Sequence, residues 1–294
     1  MSDDRIAVIM ACYNRKQKTL DCLDSLLHRQ PEQQGKLTIY LLDDGSTDGT
    51  SEAVREKFPQ VNILQGDGNC YWNGGMRIAF GAAIDKGGYD FYLWVNDDVK
   101  FYEGFLARLL SAYEELVPRY GPMQILIGAV RDPESGKLTY SGSKYMTWWH
   151  PLKFEDVPPD PHKSVPCDAI VGNCVLIPAE VVQKIGNLSD AYTHAMGDTD
   201  YGVRARRAGA RLWVAPGYAG DCEDNRKRIR WLEDPELPFK KRMKLLNSHH
   251  GLPFREYVHL VKEASPLLWP LFMFLPYVKA VGIGVRSKLH IARD

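Results

Sequence analysis

Two aspartates stand side by side in Asn96-Asp97-Asp98, directly after the apolar run Phe91-Tyr92-Leu93-Trp94-Val95. A buried strand ending in two carboxylates delivers them to the carboxyl edge of a sheet, where open α/β sheets bind their ligands. Paired hard oxygen donors there suit a divalent cation that keeps most of its waters and grips a diphosphate. Taken alone, the tripeptide reads as an acidic turn closing a strand; its company changes that reading.

The second acidic group is Met196-Gly197-Asp198-Thr199-Asp200, just ahead of a helical stretch at 203–209. A lone carboxylate at a helix start is commonly a cap. Two carboxylate clusters far apart in sequence, each at the end of an element, are also what a reaction with both a cation and a general base requires. No Ser-His-Asp or Cys-His motif is recognisable, so a covalent enzyme nucleophile is not indicated.

These residues need a sheet to position them. Strand-like runs at 6–10 and 37–42 flank leucines 20, 23, 26 and 27 at helical spacing, which is a βαβ signature. Asp43-Asp44-Gly45-Ser46 follows the second run, and 51–58 reads as a helix that Asp48 or Thr50 caps. A third strand at 61–64 leads through a turn-rich loop at 66–75 into a helix at 76–83 and then the strand before Asn96. Further strands are expected at 125–130, 138–141, 170–177 and 211–214. The Pro-rich stretch 148–166 carries Trp148 and Trp149, which read either as a stacking platform for a sugar ring or as core aromatics of a hairpin.

At 294 residues with 45% hydrophobic and 25% charged, the chain is globular, and its formal net charge is zero. Residues 1–220 hold 23 Lys/Arg against 28 Asp/Glu, and residues 221–294 hold 14 against 9. The acidic front argues against nucleic acid as a partner of that surface. The six cysteines lack any CxxC pairing, so structural zinc and a disulfide framework are not expected, and a reducing cytoplasm is the simplest home.

In order and spacing, the motifs together resemble the inverting nucleotide-sugar glycosyltransferases of family 2, whose catalytic domain has the GT-A fold. The resemblance covers about residues 5–220. It rests on Cys12-Tyr13-Asn14, on Asp43-Asp44-Gly45-Ser46, on Asn96-Asp97-Asp98 in place of the family's DxD-type motif, and on Gly197-Asp198-Thr199-Asp200 in place of its ED-type motif. Trp72-Asn73-Gly74-Gly75 and the Asn-Asp-Asp end add a narrower likeness to the branch with many bacterial rhamnosyltransferases.

The resemblance implies an α/β GT-A architecture, a mixed sheet flanked by helices, as a catalytic domain at 1–220 with a helical extension at 221–294. It implies that Tyr13 stacks near the base, that Asp44 meets the pyrimidine edge, and that Asp97 holds the ribose. Asn14, Arg15 and Gly74 complete the donor site, Asp98 ligates Mn2+ or Mg2+, and Asp198 is the catalytic base. Trp148, Trp149 and Asp200 are the acceptor contacts it suggests. There are two departures from the family pattern. Gly197 stands where many members have Glu, and the His expected after 211–214 is missing, which leaves Asp221, another oxygen donor or water as the substitute metal ligand. The implied donor is a dTDP-, UDP- or GDP-sugar, and the implied acceptor a glycan of the bacterial surface, in many relatives lipid-linked.

The run 266–278 is apolar but interrupted by Pro270 and Pro276, too short for a spanning helix of about 20 residues. With the basic residues up to 293 it reads as a membrane-surface contact, which would make the protein peripheral on the cytoplasmic face of the inner membrane, or as a homodimer contact. Two other functions compete. A sugar nucleotidyltransferase needs a similar sheet, but its Gly-rich phosphate loop is missing from Cys12-Tyr13-Asn14-Arg15-Lys16. A catalytically silent glycan-binding or scaffold protein accommodates Gly197 and the missing His equally well.

Overall fold

The computed structural model describes residues 4–30, 35–147, 152–225, 234 and 237–282. Four parallel strands form its front: β1 (Ile6–Cys12), β2 (Leu37–Asp43), β3 (Asn62–Gln65) and β4 (Phe91–Val95). Helices α1 (Lys16–His28), α2 (Thr50–Lys57) and α3 (Tyr71–Lys86) are the crossovers. β5 (Lys100–Phe101), α4 (Phe105–Tyr120), β6 (Gln124–Arg131) and β7 (Leu138–Tyr140) follow. Then come the hairpin β8 (Ser143–Tyr145) and β9 (Phe154–Asp156), then β10 (Val165–Cys167), β11 (Cys174–Pro178), α5 (Ala179–Ile185), α6 (Gly197–Arg207) and β12 (Arg211–Asp221). Helices α7 (Phe239–Leu246), α8 (Phe254–Ala264) and α9 (Trp269–Phe272) close the described chain, with 275–282 also helical.

The main sheet runs β10-β12-β6-β11-β4-β1-β2-β3, with β5 and β7 attached to β12 and β6. β11 lies antiparallel between β4 and β6, so the sheet is mixed. After β1 the chain winds outward to β2 and β3, then returns to lay β4 on the other side of β1. That reversal of strand order is where open α/β sheets hold their ligands.

β4 is buried along its whole length, which explains its unbroken apolar sequence. One buried cluster lies beneath α1, α2 and α4 and another beneath α3, α5 and α6. Trp94, fully buried, meets Phe80, Trp72 and Tyr201 edge-on. α3 lies close on the sheet because Gly75 has no side chain: a Cβ there would sit 2.8 Å from Leu42 Cδ2 and 3.0 Å from Ala11 Cβ.

Three sequence expectations shift. Helix α3 begins at Tyr71 rather than 76, taking Trp72-Asn73-Gly74-Gly75 out of the expected loop. α6 begins at Gly197, so Asp198 lies within its first turn. The strand expected at 170–177 starts only at Cys174, because Gly172 and Asn173 turn to meet α6 and β4 through hydrogen bonds outside any ladder.

The α7–α9 extension packs on α6 and the loop before it. Tyr192, Met196, Tyr257, Leu260, Val261 and Phe272 form a third apolar cluster, with Arg207 and Glu263 paired at 2.6 Å beside it.

Candidate active site

Register brings the motif residues to one edge. Cys12 aligns with Asp43, and the Asp44 amide donates to the Cys12 carbonyl at 2.9 Å. Ile9 aligns with Trp94, so the same register carried forward sets Asp97 level with Cys12. Tyr13, Asp44 and Asp97 therefore leave three neighbouring strands side by side.

Asn14 adopts φ 49°, which Asn tolerates better than most residues. Its amide donates to Ser46 Oγ at 2.9 Å, and its Oδ1 accepts the Thr47 amide at 2.7 Å, lacing the ends of β1 and β2 together. Tyr13 beside it is 53% exposed and free to stack on a planar ring. Asp44 is buried and turned inward. Its carboxylate accepts the amides of Gly68, Cys70 and Tyr71 at 3.0, 3.1 and 3.0 Å. The residue expected at a base edge thus spends most of its capacity ordering the 66–71 loop. Ligand-type atoms of Asp44, Asp67 and Cys70 come within 4.8 Å of one another. Those three amides already offset the Asp44 charge, so we read this group as loop scaffolding. Gly74 has no need to be glycine, since a Cβ there would make an ordinary 3.6 Å contact with Cys70.

Arg15 bridges the two acids of the β4 end, its Nη1 lying 3.1 Å from Asp97 Oδ1 and 3.0 Å from Asp98 Oδ2. Asp97 also accepts from Thr19 Oγ1 at 3.4 Å. Burial pushes its pKa up; Arg15 opposes the rise and the charge of Asp98 adds to it, leaving the group at about 7. Asp98 faces Asn225 Nδ2 at 3.0 Å and Cys222 Sγ at 3.6 Å. A recess of about 210 Å³ joins Asp98 to Asp21, Asp221, Cys222 and Glu223.

From the segment after β12, where a His was expected, Cys222 and Asn225 are the residues that contact Asp98. Asp221 borders the same recess, but its carboxylate accepts a hydrogen bond from the Tyr102 hydroxyl and lies 3.6 Å from Arg131 Nε. Carboxylate oxygens such as those of Asp98 and Asp221 are donors of the type Mg2+ and Mn2+ take, and Lys18 and Lys100 also line the recess. Cys222 is a poor ligand in it, because burial and Asp98 raise its pKa and keep it a neutral thiol.

Asp198 reaches this edge through a two-residue link. Its Oδ2 accepts the Gly172 amide at 3.0 Å and its Oδ1 the Thr199 amide at 2.7 Å. The next carbonyl, that of Asn173, accepts the Asn96 amide at 3.1 Å. Trp72 fills the corner: its indole donates to Asn96 Oδ1 at 2.8 Å, and a Cβ on Gly172 would lie 2.5 Å from its ring. Backbone hydrogen bonds thus connect the turn that holds the Asp198 carboxylate to Asn96, two residues before Asp98. Burial raises the Asp198 pKa above the ordinary carboxylate value, against the pull of the two amides.

Asp200 is corrected. It is fully buried, held by Tyr192 Oη at 3.1 Å and Arg204 Nε at 2.7 Å, and so braces α6 rather than meeting an acceptor. Trp148 and Trp149 lie outside the described residues.

Sequence reasoning did not single out a group of histidines packed on Trp72 and Tyr71. His194 Nδ1 accepts the Trp72 amide at 3.4 Å, and its ring lies 4.5 Å from that of His250. His249 packs 4.7 Å from Tyr71. Burial, the neighbouring His250 and His249, and Arg15 hold the His194 pKa down at about 4. No periodic or motif signal marks these positions, because the α7–α8 loop meets residue 194 only in three dimensions. A groove of about 800 Å³, lined in part by Arg206, Arg207 and Arg211, has none of the motif residues in its lining.

The sequence profile of Glycosyl transferase family 2 matches residues 7–169, more than half of the chain. This chain belongs to Glycosyl transferase family 2. It is 25% identical over 199 residues to an N-acetylglucosaminyl-diphospho-decaprenol L-rhamnosyltransferase of Mycobacterium tuberculosis. That match covers 59% of this chain and 62% of the relative. Among solved structures, mannosyltransferase PcManGT from Pyrobaculum calidifontis, in complex with GDP-Man and Mn2+, superposes with a TM-score of 0.54 at 16% identity, over 98% of this chain and 76% of that one. S. aureus TarS 1-349 in complex with UDP-GlcNAc gives 0.57 at 13% identity, over 98% and 92%. The fold is GT-A. Among the described residues no helix is long and apolar enough to cross a membrane.

Proposed function

We propose that this family 2 enzyme is an inverting transferase that moves a sugar, L-rhamnose being the leading choice, from a nucleoside-diphosphate donor to a hydroxyl of a lipid-diphosphate-linked bacterial surface glycan. The observation that carries the reading is the Gly172–Asn173 link, which connects Asp198 through backbone hydrogen bonds to Asn96 and so supports a shared site for Asp198 and the acids after Asn96. The rhamnosyl donor and the lipid-linked acceptor are supported by the name of the mycobacterial relative.

Tyr13 stacks against the base, and Arg15, between Asp97 and Asp98, meets the diphosphate. Asp98 would hold Mn2+ or Mg2+, which when bound supplies positive charge for the departing nucleoside diphosphate. Asp198 takes the proton of the acceptor hydroxyl as its oxygen attacks the anomeric carbon. Its raised pKa makes it a stronger base than an exposed aspartate. Attack opposite the leaving group inverts the anomer and needs no covalent intermediate. Trp72 and the neutral His194 keep water from the reacting carbon.

The test is a screen of nucleotide sugars for donor hydrolysis with Mn2+, with Mg2+ and with chelator. One donor should be cleaved well above background, and the Asp198→Asn variant should lose transfer while keeping donor binding. Release of nucleoside diphosphate from none of the donors would favour a silent glycan-binding protein instead.

A further inference from the structure

A separate groove is lined by residues next to Asp198 in the chain. Met196 and Thr199, which flank Asp198 in sequence, form part of a groove of about 360 Å³. That volume is within the range of small-molecule sites, about 300–1,000 Å³. Phe154, Leu252, Leu260 and Leu275 supply its walls, and Lys279 stands at its rim. Thr199 ties the groove to the chemistry, since its amide holds the Asp198 carboxylate at 2.7 Å.

The groove's composition is one-sided: apolar walls with a cation at the edge. The helical segment that carries Leu275 and Lys279 also turns outward Phe274, Val278 and Val281, at 52%, 64% and 47% exposure. These three recur at helical spacing and give the segment that lines the groove an exposed apolar stripe as well. A ligand with an anionic head and an apolar tail longer than the groove matches both surfaces. A free sugar matches neither.

We infer that this groove receives the first carbons of the lipid tail of the acceptor, with Lys279 meeting its diphosphate while the sugar hydroxyl faces Asp198. This rests on the transferase reading above and assigns the place where the aglycone is recognised. The tail anchors the acceptor beside the base, so affinity comes from apolar contact as well as from the sugar.

The test is calorimetric titration of the full chain with farnesyl diphosphate, inorganic diphosphate and farnesol, with donor hydrolysis assayed in parallel. Farnesyl diphosphate should bind at least about tenfold more tightly than inorganic diphosphate. Leu252→Gln and Leu275→Gln should each weaken it by about tenfold or more, and Leu275→Met should retain it. Lys279→Ala should weaken farnesyl diphosphate and leave farnesol unchanged. All four variants should hydrolyse donor at the unsubstituted rate, which also reports that they fold. Equal affinity for farnesyl and inorganic diphosphate overturns the inference. So does loss of binding to phosphatidylglycerol vesicles, or of self-association, in the leucine variants with farnesyl diphosphate affinity unmoved. Tight prenyl binding without turnover of any nucleotide sugar upholds the groove and counts only against the transferase reading.

Discussion

Asn73 Oδ1 occupies the space in which a side chain at Gly197 would begin: a Cβ built at 197 falls 1.8 Å from it. Asn73 is fully buried, its Nδ2 donating to the carbonyls of Ser189 at 2.9 Å and Tyr192 at 2.7 Å, while Oδ1 has no hydrogen-bond partner among the described residues. The glycine before Asp198 is thus the other half of the asparagine on α3. Gly197→Ala should destabilise the fold by about 1–3 kcal/mol, the usual cost of overpacking. Adding Asn73→Ala should return part of that loss, a coupling that a double-mutant cycle in denaturant would measure. Additive losses would show that the two positions do not share this space.

Asp198→Asn should reduce turnover by about 10²- to 10⁴-fold, the common share of general base catalysis, with little change in donor affinity. The rate of the unsubstituted enzyme should fall at low pH as Asp198 takes up a proton. Because its pKa is raised, the midpoint of that fall should lie above about 3.9, the ordinary aspartate value. A pH–rate profile measured above any acid unfolding checks both.

Arg15 holds together two carboxylates that otherwise repel. Arg15→Met should lower the melting temperature in chelator, and Mn2+ should then raise it by more than in the unsubstituted protein, because the cation no longer competes with a guanidinium. A thermal shift series with and without Mn2+ reads this directly. An equal Mn2+ shift in both proteins would remove Asp98 from the metal site.

His194 gives the fold a pH dependence of definite sign. Its folded pKa of about 4 lies below the 6.5 of a free imidazole, so the unfolded chain takes up the proton first. Its contribution is complete above about pH 6.5 and is lost as pH falls toward 4. His194→Gln should flatten the decline in melting temperature across that window. Identical slopes would mean the imidazole is not held neutral.

Trp72→Phe keeps the ring but removes the donor to Asn96 Oδ1. The expected loss is about 1 kcal/mol, with a larger fall in transfer than in stability because the turn bearing Asp97 and Asp98 loosens. Chemical denaturation beside a transfer assay separates the two.

The parallel front of the sheet was legible because its signals are local. Alternating strand and helix patterns and the acids after β2 and β4 are carried by a few consecutive residues. The family assignment followed from their order. What was not legible depends on distant segments meeting. Asp200 reads like any acid in a first turn until burial beside Arg204 and Tyr192 shows its bracing role. Asp44 looks free in the sequence, yet folding brings three amides onto it from residues 68–71. The start of α3 was placed late because two glycines and an asparagine favour turns, and only the packing of Gly75 on Leu42 and Ala11 overrides that preference.

Glu256 on α8 accepts the Thr193 hydroxyl at 3.0 Å, and His249 leans on Tyr71 at the head of α3. Helix α8 and the loop before it are therefore packed on the head of α3 and the loop before α6. Drift in their sequence can shift those two supports while the carboxylates beyond β2 and β4 stay untouched.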